Sequence, residues 1–188
     1  MKRLPAGLLM ISLAIPALAA WDLPQLMDEL AGAGGGRVRF VETRYLALLD
    51  KPLVSTGEMR FTAPDRLEKQ TLTPRPETLL LDKDRLTIAR DRQKLAVDLA
   101  SQPEALAFVD SIRGALTGNR QALEKHYALH LAGSREHWTL TLLPSAPAIA
   151  AIVQKITLTG QRNSIRSIEY LQTDGDRALI RIEPLPDQ

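Results

Sequence analysis

Residues 77–98 read Glu77-Thr78-Leu79-Leu80-Leu81-Asp82-Lys83-Asp84-Arg85-Leu86-Thr87-Ile88-Ala89-Arg90-Asp91-Arg92-Gln93-Lys94-Leu95-Ala96-Val97-Asp98. Three short apolar-rich runs, Glu77 to Leu81, Arg85 to Ile88 and Lys94 to Val97, are separated only by the charged turns Asp82-Lys83-Asp84 and Asp91-Arg92. Each run is too short for a helix, and each turn too short for a crossover. The stretch therefore predicts consecutive antiparallel strands.

The same rhythm extends upstream. Val38, Phe40 and Glu42 alternate with Arg37, Arg39 and Val41, and Glu58 to Phe61 and Arg66 to Lys69 follow. Their boundaries are Asp50-Lys51-Pro52, Pro64-Asp65 and Pro74-Arg75-Pro76. Downstream come Tyr127 to Leu131, His137 to Leu142, Lys155 to Thr159, Ile165 to Gln172, a turn at Asp174-Gly175-Asp176, and Ala178 to Ile182. Ten or eleven strands without alternating long helices exclude a doubly wound parallel sheet. So many short antiparallel strands curl into a barrel or split into a sandwich. More than about eight strands leave space inside a barrel.

Helices punctuate the series. Asp22 with Gln25 reads as a capping box, and Leu23, Leu26, Met27 and Leu30 share one face. Gly34-Gly35-Gly36 supplies an elbow into the first strand. A second helix starts at a Ser101–Glu104 capping box, carries Leu106, Val109, Ile112 and Leu116, and ends near Gly118-Asn119, with a further turn through Leu123. A small helix is expected over Ala148 to Val153. The predicted class is mainly β with a few helices: an unclosed antiparallel β-barrel of about 11 strands with a helical lid.

The N-terminus has the pattern of a secretory signal peptide over residues 1–19. Met1-Lys2-Arg3 is followed by the apolar stretch Leu8 to Leu18 and the small-residue site Ala17-Leu18-Ala19. Residues 20–188 then form a single domain, expected to be a soluble, periplasmic monomer. Two of the 24 basic residues, Lys2 and Arg3, lie in that leader, which leaves the rest of the chain balanced against 22 acidic residues. The sequence pI near 9.0 is thus no argument for nucleic-acid binding. There is no cysteine. A disulfide framework, a thiolate nucleophile and a lipid anchor on a cleavage-site cysteine are therefore not expected.

Chemistry-bearing patterns are sparse. His126 and His130 lie four apart on a predicted strand, roughly 13 Å from each other, and His137 stands alone. No metal site, cofactor or catalytic residue is expected, and the sequence holds no nucleophile elbow, metalloprotease helix or phosphate loop. Glu42 and Arg44, on the face of Phe40, are the only suggestive polar pair, read as an ion pair or a strand end. The inward stripes are aliphatic, as an acyl-chain cavity would need. The expected wall consists of Phe40, Met59, Phe61, Leu86, Ile88 and Leu95, continued by Val97, Trp138, Leu140, Ile156 and Leu158. The expected lid is Leu106, Val109, Ile112 and Leu116.

The order of pieces resembles the LolA/LolB lipoprotein-carrier superfamily, in its LolA-like periplasmic branch. The resemblance rests on Phe40-Val41-Glu42, Gly57-Glu58-Met59-Arg60-Phe61, Pro64-Asp65-Arg66-Leu67 and Pro76-Glu77. It continues through the Asp82-Lys83-Asp84 turn, Leu143-Pro144, Ile156 to Thr159, Ile165 to Tyr170 and Asp174-Gly175-Asp176. It implies a helix-lidded hydrophobic cavity and a shuttle that carries acylated lipoproteins, or a related lipid, from inner to outer membrane. The implied partners are the lipid cargo, an inner-membrane transporter and an outer-membrane acceptor. It also implies an arginine just before the early-turn proline, used in handing on cargo; here Ala63 precedes Pro64 and Arg66 follows. A lipid-sensing interaction module and a carrier of a non-lipoprotein acyl product for an export system remain open alternatives.

Overall fold

The computed structural model describes residues 21–185. The signal-peptide expectation, residues 1–19, lies outside them. The chain runs α1 (Leu23–Gly32), β1 (Gly35–Tyr45), β2 (Leu53–Thr62), β3 (Arg66–Thr73), β4 (Glu77–Asp82), β5 (Arg85–Arg90) and β6 (Gln93–Asp98). It continues through α2 (Pro103–Leu116), α3 (Arg120–Glu124), β7 (Tyr127–Ser134), β8 (His137–Pro144), α4 (Pro147–Ala150), β9 (Val153–Gln161), β10 (Ser164–Gln172) and β11 (Arg177–Pro184).

All 11 strands form one antiparallel sheet in the order β6-β5-β4-β3-β2-β1-β11-β10-β9-β8-β7. Two meanders meet where β1 pairs β11, with Phe40 opposite Ile182 and Glu42 opposite Ile180. Strands β6 and β7 are the two edges. The chain between them is where closure would occur, and it is helical instead: α2 and α3 run from one free edge to the other. The fold is thus mainly β, an unclosed sheet with four helices, as the turn spacing predicts.

Local chemistry explains the helix ends. Asp22 accepts from the Gln25 amide, and Gln25 Oε1 accepts from the Asp22 amide, both at 3.1 Å, which completes the expected capping box. The second box does not form. Asp98 Oδ1 accepts from the Ala100 amide and caps a short 3₁₀ turn, Leu99–Ser101, while Ser101 Oγ donates to the Asp98 carbonyl at 2.7 Å. With Ser101 so engaged, the residue preceding α2 is Gln102, and Pro103 opens the helix. Asn119 caps α3 through the Ala122 amide. The predicted helix at 148–153 shortens to Pro147–Ala150, because Val153 has already entered β9.

Alternation puts one face of the whole sheet on the concave side. Over the β7–β11 half the helices cover that face. Leu26, Met27 and Leu30 of α1 and Ala107 and Ala115 of α2 share a core with Tyr127, Trp138, Leu140, Leu142, Ile156 and Leu158. Trp138 lies against Gly160: a Cβ there would stand 2.1 Å from Trp138 Cζ2. Its Nε1 donates to the Arg162 carbonyl at 2.9 Å. A second core of Phe40, Ile180 and Ile182 lines the junction of the two meanders. The β4–β6 wing is less covered. Leu79, Leu86, Ile88 and Val97 are half-buried, and Leu95 is 59% exposed.

Candidate functional site

The concave face and the helices leave a cleft of about 330 Å³ at the end of the sheet where β1 begins. Its sheet wall is Val38 of β1, Met59 and Phe61 of β2, Leu67 of β3 and Ile182 of β11. Register explains this wall, since Val38 faces Met59 and Phe61 faces Leu67. Its roof is Leu30 of α1 with Ile112 and Leu116 of α2. Gly35, Asn163 and Leu185 stand at the rim. The volume is at the small end of the ~300–1,000 Å³ typical of ligand pockets. Its lining is chiefly aliphatic, with one aromatic ring, so a ligand here is held by burial of apolar surface rather than by directional bonds.

The expected wall residues fall into three groups. Met59 and Phe61 line the cleft. Phe40, Trp138, Leu140, Ile156 and Leu158 are fully buried in the two cores; Ile156 and Leu158 also border a very small void beneath Ile112 and Leu116. Leu86, Ile88, Leu95 and Val97 share the concave face but stand beyond Leu67, on the uncovered wing. They continue the cleft as a shelf, because Leu67 faces Leu81, Leu81 faces Leu86, and Leu86 faces Val97. Of the expected lid, Ile112 and Leu116 reach the cleft, while Leu106 and Val109 are half-buried elsewhere on α2. Leu30, Val38 and Leu67 are cleft residues outside the expected wall and lid, and Ile182, one of the inward aliphatic stripe, joins them.

Among the described residues, the Arg113 side chain ties this roof to the far wing. Arg113, next to Ile112, donates from Nη2 to the Lys83 carbonyl in the β4–β5 turn. Its Nη1 reaches Asp84 Oδ1 at 3.5 Å and Asp110 Oδ1 at 2.9 Å. The Asp110 contact is internal to α2; the other two cross from helix to sheet. The turn accepts this approach with Lys83 at φ 51°.

The polar cluster on the concave face is not the expected Glu42–Arg44 pair. Arg44 is exposed. Glu42, with its side chain 8% exposed, takes Lys69 Nζ at 2.5 Å, and Lys69 is itself 21% exposed. Ser55 Oγ and Tyr170 OH each donate to Glu42 at 3.4 Å, and the Lys69 ammonium stands 4.8 Å above the Phe40 ring. Burial, and then the neighbouring Glu42 carboxylate, push the Tyr170 hydroxyl above the ordinary tyrosine range. This cluster joins β1, β2, β3 and β10. Lys69, Ser55 and Tyr170 all engage the Glu42 carboxylate, so the cluster pins the sheet.

The histidines do not converge. His126 precedes β7 and His130 lies within it, so they do not share a strand face. His137 pairs with Gln161 at 2.9 Å. Among the described residues there is no group of three or more potential metal ligands. Asp174-Gly175-Asp176 forms the β10–β11 turn, with the Asp176 amide donating to Asp174 Oδ1 at 2.9 Å. Arg66, after Pro64, pairs with Asp82 at 3.1 Å on the exposed rim of β3 and β4. No helix among the described residues is long and apolar enough to cross a membrane.

An unclosed sheet, a helical roof and an aliphatic cleft between them define the class of helix-lidded half-barrels. The chain belongs to the outer membrane lipoprotein carrier protein LolA-like family, whose model matches residues 15–181. The resemblance read from the turn and strand motifs is therefore borne out. Similar solved structures include a LolA superfamily protein from Nitrosomonas europaea, 9% identical over 90% of this chain and 96% of that one, with a TM-score of 0.48. The Mycobacterium tuberculosis lipoprotein LppX is 10% identical over 88% and 98%, with a TM-score of 0.45. The Pseudomonas aeruginosa MucA/MucB complex matches at 15% identity and a TM-score of 0.45, over 89% of this chain but only 59% of the matched chain. No curated protein sequence matches this chain.

Proposed function

We propose that this protein is a periplasmic carrier that shields the acyl chains of a lipoprotein, or of a related acylated lipid, between the inner and outer membranes. The observation that supports this reading is the aliphatic cleft of about 330 Å³ under a helix that packs on the β7–β9 half of the sheet and is tied to the β4–β5 turn through Arg113. An acyl chain of about 16 carbons left in water costs on the order of 12 kcal/mol, at ~0.8 kcal/mol per methylene. Transfer through an aqueous compartment therefore needs a container. The same container must release its load, and a cleft with few directional bonds releases when its roof lifts. The shelf from Leu81 to Val97 gives a second or longer chain somewhere to lie once the cleft is full.

The family description supports carriage over catalysis. Ala63 ahead of Pro64, where the resemblance implies an arginine for hand-over, favours a second reading for the cargo: an acylated product other than a lipoprotein. Native mass spectrometry of protein isolated from a bacterial periplasm tests both readings. A co-purifying acylated species is expected, and its mass separates lipopeptide from free lipid. Protein that carries no lipid, and that takes up no acyl probe after delipidation, overturns the carrier reading.

A further inference from the structure

The connection between β1 and β2 is an apolar tip. Turns are ordinarily built from polar residues, glycine and proline, yet this one runs Leu46-Ala47-Leu48-Leu49 before Asp50-Lys51-Pro52. Leu48 is 97% exposed, with Leu49 at 48% and Leu53 at 49% beside it. The tip is held in shape. The Leu49 amide donates to the Leu46 carbonyl at 2.9 Å, and the Ala47 amide donates to Asp176 Oδ1 at 2.8 Å. The Arg177 guanidinium stacks 4.3 Å from the Tyr45 ring at its base. A fixed loop that presents a leucine to water at its apex has a partner to meet.

We propose that the 46–53 loop docks the protein on a phospholipid bilayer surface, with Leu48 and Leu49 entering the headgroup–acyl boundary. Three observations select a lipid surface over a protein. The contact is one convex tip, which does not supply the ~800 Å² per partner of a standard protein interface. The rim carries both signs, Lys51 and Asp50, matching the amine and phosphate of zwitterionic headgroups. Tyr45 sits at the base, at the depth where an amphipathic ring favours the interface. Asp176 is engaged by the Ala47 amide and Asp174 by the Asp176 amide.

The tip lies at the far end of β1 from the cleft. Eleven residues of strand place the two roughly 35 Å apart along the chain. Docking would localise the carrier on a membrane while its cleft mouth points away from the lipid. The proposal does not depend on what the cleft holds.

Vesicle flotation tests it, using phosphatidylcholine/phosphatidylethanolamine vesicles with and without phosphatidylglycerol. The leader-less protein is expected to co-float with neutral vesicles. Leu48→Asp with Leu49→Asp is expected to lower partitioning at least tenfold, since each lost leucine burial is worth about a factor of ten or more. Ile112→Asp in the cleft is expected to float unchanged, which separates docking from cargo uptake. The chain has no cysteine, so Leu48→Cys labelled with an environment-sensitive fluorophore gives a second readout, a rise in emission on adding vesicles. Flotation that is absent, or undiminished in the double aspartate variant, overturns the proposal. So does a label at position 48 that responds only to a protein partner.

Discussion

Replacing Arg113 by alanine isolates the tie between the roof and the sheet. The side chain makes two crossing contacts. The hydrogen bond from a charged Nη2 to the Lys83 carbonyl belongs to a class worth about 1.5–3 kcal/mol. The Asp84 contact, at 3.5 Å with the aspartate half-exposed, adds no more than about 0.5 kcal/mol after solvent screening. The Asp110 contact stays within the helix and does not hold the roof down. Loss of the latch is thus worth about 2–3 kcal/mol, which raises the population of the lifted roof by roughly 30- to 150-fold. Two assays read this directly: hydrogen exchange of the 106–116 amides, and stopped-flow release of a fluorescent C16 probe from loaded protein. Both rates are expected to rise by that factor, with Arg113→Lys in between, because an ammonium keeps the charge but loses the guanidinium fork. Exchange and release within threefold of the parent, in a variant that melts at the same temperature, would refute the latch. So would exchange that accelerates equally in β8 and β9, since the arginine would then support the whole fold.

Two further variants probe the frame on which the site is built. Lys69→Met leaves Glu42 buried opposite a thioether, and urea denaturation is expected to show a loss of about 2–4 kcal/mol. That is below the full penalty because the site retains some solvent access. Adding Glu42→Gln is expected to recover most of the loss; no recovery would mean that Lys69 contributes by packing on Phe40 rather than by charge. Gly160→Ala drives a methyl group to 2.1 Å from the Trp138 ring and 2.5 Å from the Ser164 carbonyl. It is expected to cost 3 kcal/mol or more and to flatten the near-ultraviolet tryptophan signal, while a parent-like spectrum would contradict the stacking.

The sheet was legible because its turns are short and its strands alternate. Asp82-Lys83-Asp84 and Asp91-Arg92 leave no room for anything but hairpins, so order and register follow with little ambiguity. The ends of α2 were harder to read. Asp98 and Ser101 are both capping residues, three positions apart, and Asp98 engages first, which moves the start of the helix to Pro103. Alternation also says which face a strand residue takes, not what covers that face. Phe61 and Leu86 carry the same signal, yet the first lies under Ile112 and the second on an open wing, because the path of α2 depends on the tertiary contacts of Ala107, Ala115 and Arg113. Glu42 shows the same limit. Its partner by face was Arg44, two residues along the strand; its partner in space is Lys69, on a strand two places away in the sheet. Register sets Lys69 level with Val38, both beside Met59, so the lysine reaches Glu42 only diagonally, its ammonium passing 4.8 Å over the Phe40 ring.

The claim that the cleft holds an acyl chain is tested most directly by photocrosslinking. Delipidated protein is loaded with a palmitoyl analogue bearing a diazirine near its methyl end, irradiated, digested and mapped by mass spectrometry. Saturable labelling is expected on Val38, Met59, Phe61, Leu67 and Ile112, reduced by competing unlabelled lipid and by Ile112→Asp. Labelling that does not saturate, or that falls on the outer face of the sheet and spares these residues, would contradict the account.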